Sequence, residues 1–210
     1  RMRGARPFIN TLSLLFIITL SLLFLNIDIL LAYDERHLDQ VKTLNACVKC
    51  DLSKSDLRKL NAKEAILVRA DISESNLASG DFRSANLVKA NLKKSDLTAA
   101  KLNFANLQEA NFDKSILRHA IFENANLKGA KLRKADLSKA NLAGANLART
   151  NMTKAVLRKV NMEGANLTGS KFNNSILQGV NLSGANLTRA DFTDAKIETV
   201  WFVDTLFCQT

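Results

Sequence analysis

The chain has 210 residues, with 30 Lys and Arg set against 20 Asp and Glu for a formal net charge of +10. Hydrophobic residues make up 47%, which is enough for a packed interior, and the length suits one ordinary domain or one modest solenoid. Three Cys are too few for a disulfide-scaffolded miniprotein, and the basic balance alone would suit a polyanion partner.

In chain order, Arg1, Arg3 and Arg6 come first. An uncharged run from Pro7 to Ile27 follows and contains Leu14, Leu15, Phe16, Ile17 and Ile18. Positive charge before an apolar run is the layout of an export signal. Ala32 fits a position before a cut, although Leu30 is large for the site two residues earlier. The run is also long enough to span a bilayer. Residues 1–33 therefore read as a signal peptide or a retained signal anchor. In both cases the positive side stays in the cytoplasm and the rest of the chain is exported. If uncleaved, this segment is the one expected membrane contact.

Residues 34–49 read as a helical cap. Leu38, Val41 and Leu44 recur at helical spacing among polar residues, and Cys47-Val48-Lys49-Cys50 closes the segment. In an oxidising compartment two cysteines this close form a disulfide. Free inward-facing thiols and a redox or metal pair are the alternatives. No thioredoxin-like pattern surrounds the pair, and His37 is the one nearby further ligand.

From Cys50 to Asp204 a five-residue period runs without a slip, through 31 units. Apart from one breach, a large residue falls at the numbers ending in 2 or 7, such as Leu52, Leu57, Phe82 and Ile197. Two positions earlier stands a small one, such as Ser55, Ala65, Gly80 and Ala195. The clear breach is Leu60 followed by Ala62, where large and small trade places and the local volume is kept. A period of five is neither the 3.6 of a helix nor the 2 of a strand, so it is a repeat.

The run Ala125-Asn126-Leu127-Lys128-Gly129, Ala130-Lys131-Leu132-Arg133-Lys134, Ala135-Asp136-Leu137 resembles the pentapeptide-repeat family. Units of that family read Ala-(Asp/Asn)-Leu followed by two variable residues. The resemblance covers residues 50–204. It implies an all-β fold, a right-handed quadrilateral parallel β-helix with one pentapeptide per side and four per coil. The central Leu or Phe and the preceding small residue would point inward, with the short N-terminal helix as a cap. The stretch from Leu44 to Leu57, with its Cys pair, is similar to the entry into exported cyanobacterial members. That likeness implies the periplasm or thylakoid lumen.

Four units per coil would stack residues 20 apart. Leu57, Leu77, Leu97, Leu117, Leu137, Leu157, Leu177 and Ile197 then form one column, and a second, Leu67 through Leu187, is all Leu. The other two columns hold the Phe and Met residues of the central slot, such as Phe112, Phe122, Met152, Met162 and Phe172. The ends of such a stack need covers. The helix would cover one. At the other, Trp201, Phe202, Val203, Leu206 and Phe207 form an apolar cluster that either closes the rod itself or pairs with a second copy, and residues 205–210 are the tail or cap.

Function should be read from the outward positions. No face is a pure basic stripe. The densest basic cluster is Lys93, Lys94, Lys114, Lys131, Arg133, Lys134 and Lys154, all on one face. It is either a patch for an anion or partner, or a solvated surface that keeps the rod soluble. Ile116, Val156, Ile176, Ile121 and Phe104 put apolar residues in outward slots. No nucleophile elbow, glycine-rich phosphate loop or metal constellation appears, and no inserted loop offers room for a pocket. No cofactor and no specific nucleic acid are expected. The expectation is a non-enzymatic, extracytoplasmic binding or scaffold rod with a protein partner the sequence does not name. The family also contains DNA mimics directed at topoisomerases, but a basic, exported rod fits that role poorly. Direct binding of a polyanion or anionic lipid is the remaining alternative.

Overall fold

A computed structural model describes residues 35–209; residues 1–34, and with them the expected signal or anchor, and Thr210 lie outside the described residues. Helix α1 spans Glu35–Leu44, with acidic Glu35 in its first turn and basic Lys42 in its last, the signs that suit its dipole. Leu38 and Val41 are buried, as their spacing predicts. Leu44 is not: it is 70% exposed. The helix ends at Asn45, whose φ of 50° places it in the left-handed region and whose N–H donates to the Val41 carbonyl. Asn tolerates that conformation better than most side chains, and here it turns the chain out of the helix.

From there the chain winds as a right-handed, four-sided parallel β-helix. Bridges link one residue in every five to the one 20 positions on, from Ala46 to Ile66 through to Asn186 and Leu206. At ~4.8 Å per coil, the roughly eight coils from Ala46 onward make a rod about 38 Å long. Each pentapeptide donates and accepts along the rod axis. Leu52 N donates to Asp71 O at 2.7 Å, Lys54 N to Ser73 O at 2.8 Å, and Asp71 N back to Cys50 O at 2.7 Å.

The corners explain why the unit is five residues long. At most of them a four-residue turn closes, as where Ala140 N donates to Leu137 O at 2.9 Å. The residue before the small one lies in the left-handed region, for example Lys134 at φ 59° and Lys154 at φ 60°. One left-handed residue in five bends the chain by about a right angle, and the fourth bend brings it back under itself.

The interior follows the predicted slots. Leu57, Leu97, Leu127, Ala135 and Ala145 are buried, and so are the small polar residues Ser95, Ser115 and Thr150. Phe112 and Phe122 meet edge to face with ring centroids 6.0 Å apart, and Phe172 stacks on Phe192 one coil later at 4.6 Å. At the breach, Ala62 is buried and Leu60 is half-buried. The missing volume returns one coil on, where Gly80 makes room for the ring of Phe82. Outward apolar slots behave unevenly: Phe104 and Ile116 are exposed, while Ile121, Val156 and Ile176 are half-buried.

One column of corners departs from the rule. Its small slots at 160, 180 and 200 are all Val, and none of these makes the turn bond that Ala140 makes. The chain instead stays extended through β1 (Val156–Arg158), β2 (Ile176–Gln178) and β3 (Lys196–Glu198). These pair in parallel, Val156 with Ile176 and Ile176 with Lys196. The corner keeps its left-handed residue, Lys159 at φ 55°, Gly179 at 65° and Thr199 at 52°, but the turn bond is lost where the three stacked Val residues, bulkier than the usual Ala or Ser, fill the small slot.

Candidate functional site

Where the outward slot before a central residue holds Asn or Asp, it is spent on the fold. Its Asn or Asp oxygen accepts from the backbone two residues on, as where Ser73 N–H reaches Asp71 Oδ1 at 3.0 Å and Ala143 N–H reaches Asn141 Oδ1 at 3.1 Å. The Asn amides also reach along the axis. Asn126 donates to Asn106, Asn146 to Asn126 and Asn166 to Asn146, at 3.3 to 3.4 Å. Carboxylates here are structural, and their acidity follows. Asp191 accepts from the Thr193 hydroxyl at 2.6 Å, the Asn173 amide at 2.7 Å and the Thr193 N–H at 2.9 Å. Those donors favour the anion and hold its pKa down to about 2. The Arg83 guanidinium likewise holds the Asp81 carboxyl below the ordinary range.

Cys47 and Cys50 are joined as a disulfide with Cα atoms 5.5 Å apart. Cys47 takes a central inward slot and Cys50 a small slot, so the bond braces the first corner of the rod. Helix α1 closes over it: Gln40 Oε1 lies 3.2 Å from Cys47 Sγ, and the Asp51 N–H reaches His37 Nδ1 at 3.3 Å. Cys208 is an exposed free thiol.

All seven residues of the basic cluster are exposed. Lys93, Lys114, Arg133 and Lys134 line one shallow cleft of about 320 Å³ together with Asn111 and Asp113. Asp113 sits in this cleft with only 5% of its surface exposed. It accepts the Arg133 N–H at 2.9 Å and pairs with the Arg133 guanidinium, which fixes that side chain along the face. Lys94 is drawn aside to Glu74 at 2.7 Å. Lys131 lies in a neighbouring depression with Arg149 and Lys171, and Lys154 lines neither. The predicted cluster thus divides into a cleft of four cations and three outliers.

At the far end Trp201, Phe202, Val203, Leu206 and Phe207 are all exposed, with the rings of Phe202 and Phe207 5.3 Å apart. The ladder itself continues there, since Leu206 N donates to Ala185 O at 2.9 Å and Arg189 N to Cys208 O at 2.8 Å. The cluster is part of the last described coil, with its apolar side chains bare.

A further depression, of about 740 Å³, went unread in the sequence. It runs along the open Val corner and is lined by Lys139, Arg158, Lys159, Gly179, Thr199 and Trp201, among others. Its signal was present: Val in the small slot three times in one column. Among the described residues no group of three or more His, Cys, Asp or Glu is placed to hold a metal ion, and no helix is long and apolar enough to cross a membrane.

Comparison with known proteins follows the same lines. The profile described as pentapeptide repeats matches in eight copies, which together span residues 47–200. Among solved structures, trypsin-treated QnrB1, a plasmid-mediated fluoroquinolone resistance protein, is 20% identical with a TM-score of 0.58, over 77% of this chain and 79% of that one. HetL, involved in heterocyst differentiation regulation in the cyanobacterium Nostoc sp. strain PCC 7120, is 31% identical over 72% of this chain and 82% of its own, with a TM-score of 0.37. A pentapeptide repeat protein from the Arabidopsis thaliana thylakoid lumen is 36% identical over 47% of this chain and 68% of its own, with a TM-score of 0.33. A search of the curated proteins finds no match. With inward slots every five residues, a ladder every 20 and a profile match over most of its length, the chain belongs to the pentapeptide-repeat family.

Proposed function

We propose that the protein is a non-enzymatic, extracytoplasmic rod that holds an acidic protein partner on its basic face. The carrying observation is the cleft of Lys93, Lys114, Arg133 and Lys134, held on a rigid β face with Arg133 tethered by buried Asp113. A preset array of cations loses little conformational freedom on binding, so charge complementarity gives fast and selective capture. The disulfide at the first corner suits an oxidising compartment. The positive surface argues against DNA mimicry, and likeness to QnrB1 at 20% identity extends to the fold alone.

The test is affinity capture from the periplasmic or luminal fraction, with two baits run side by side. One is the native protein and the other carries Lys93→Glu, Lys114→Glu and Lys134→Glu. A partner lost from the second bait and eluted by salt supports the reading. Equal capture by both overturns it. Heparin and anionic vesicles in the same assay separate a polyanion or lipid surface from a protein. Reading the mature N-terminus in that fraction tests export.

A second copy is the proposed occupant of the bare last coil. Its exposed apolar side chains gain from an end-to-end contact with an identical surface.

A further inference from the structure

The open Val corner places an aromatic ring and a set of unpaired cations on one groove. Trp201 is 52% exposed and lines one end of it. Lys139, Arg158 and Lys159 line the other, and none of the three has an ion-pair partner among the described residues. The nearest column carboxylate, Glu198, is taken by the Gln178 amide at 3.0 Å and is not among the lining residues. Lys139 and Lys159 stand one coil apart in the same column, at about 4.8 Å of backbone rise, so an anion between them would be shared by both cations.

Between the two ends the floor is shaped by Gly179. A Cβ there would meet the Lys159 Cγ at 3.4 Å, so the Lys159 stem lies along the glycine. A Cβ there would just touch that stem, and a longer side chain would occupy the groove. The aliphatic stem forms an apolar wall, with its ammonium at the rim. Two coil steps, about 10 Å, separate the Lys159 level from the Trp201 level. A depression of about 740 Å³ is the size of a small-molecule site.

From this arrangement we infer that the groove binds a small anion carrying a flat aromatic ring, with the ring on Trp201 and the anionic group among Lys139, Arg158 and Lys159. A ring without a charge would leave the three cations as they are. An anion without a ring would leave the indole in water. The site lies on a different face from the basic cleft and stands or falls independently of the partner proposed there.

Trp201 is the only tryptophan, so its indole N–H gives one resonance that reports on the groove directly. The full chain, labelled with ¹⁵N, is titrated with 2-naphthoate, 2-naphthamide and cyclohexanecarboxylate. Naphthoate is expected to move the indole peak to saturation, and each of the other two to bind at least about tenfold more weakly, the equivalent of one lost interaction of about 1.4 kcal/mol. Arg158→Gln and Lys159→Gln, both at exposed positions, should each weaken naphthoate severalfold, and Lys134→Gln on the other face should not. A thermal melt of each variant confirms that the rod is intact. Naphthoate and naphthamide binding alike, or naphthoate binding unchanged by Arg158→Gln and Lys159→Gln, would mean that the ring merely rests on the apolar last coil, and would overturn the proposal. So would an indole peak that never moves.

Discussion

Gly80→Ala adds a single methyl group where the interior has no room for it. The new Cβ would stand 2.5 Å from Phe82 Cε2 and 3.3 Å from Cδ2, well inside carbon–carbon contact distance. Neither atom can retreat easily, because Phe82 is 1% exposed and fills the volume given up at Ala62 one coil before. The ring must leave its rotamer or the coil must shift, at a cost of about 1–3 kcal/mol for overpacking. Alanine also stiffens the unfolded chain, which offsets roughly 0.4–1 kcal/mol. The net loss is about 1–2 kcal/mol, or roughly 3–6 °C in melting temperature for a chain of this length. Circular dichroism during heating reads it. The decisive variant is the pair Gly80→Ala with Phe82→Leu. The smaller side chain frees the space, so the double variant should be more stable than the sum of the single losses. If Gly80→Ala proves neutral, or the two losses simply add, then the compensation between the Leu60/Ala62 breach and Gly80/Phe82 is wrong.

The pH dependence follows from Asp191. Its folded pKa of about 2 lies below the unfolded value of about 3.9, so its contribution is fully present above pH 4 and is lost as pH falls towards 2. The melting-temperature difference between the native chain and Asp191→Asn should shrink across that window, and a pH-independent difference would contradict the assignment. At the far end, Phe207→Asp puts a charge on the exposed apolar coil. Sedimentation should show the native chain as a dimer and the variant as a monomer; a native monomer at high concentration would remove the end-to-end contact.

Much of this was legible because the repeat is one-dimensional. Once residues 20 apart are stacked, Leu57 over Leu77 and Asn126 over Asn146 follow without further information. The same stacking would have found the pairs Glu74–Lys94, Lys89–Glu109 and Asp113–Arg133, each separated by 20. What period alone did not carry was corner geometry. Val160 and Val180 are hydrophobic and buried, as their slot demands, yet the turn bond is missing at their corners, and the groove runs along them. Leu44 fits a helical stripe, but the chain turns away at Asn45 before any surface covers it. The apolar cluster around Trp201 was visible as composition; that it stays bare depends on what lies beyond the last coil, which no local pattern encodes.

The hydrogen bonds that join the coils all lie along the rod, and this sets how the molecule answers a pull. Tension on the two ends loads one coil at a time, because each turn is held only by its neighbours. A coil that peels away gives up about 4.8 Å of folded length and releases 20 residues, close to 70 Å of slack chain. Such a rod is stiff against bending and pays out in equal steps under load, with the disulfide at Cys47 and Cys50 bracing the corner where the first coil would begin to unwind.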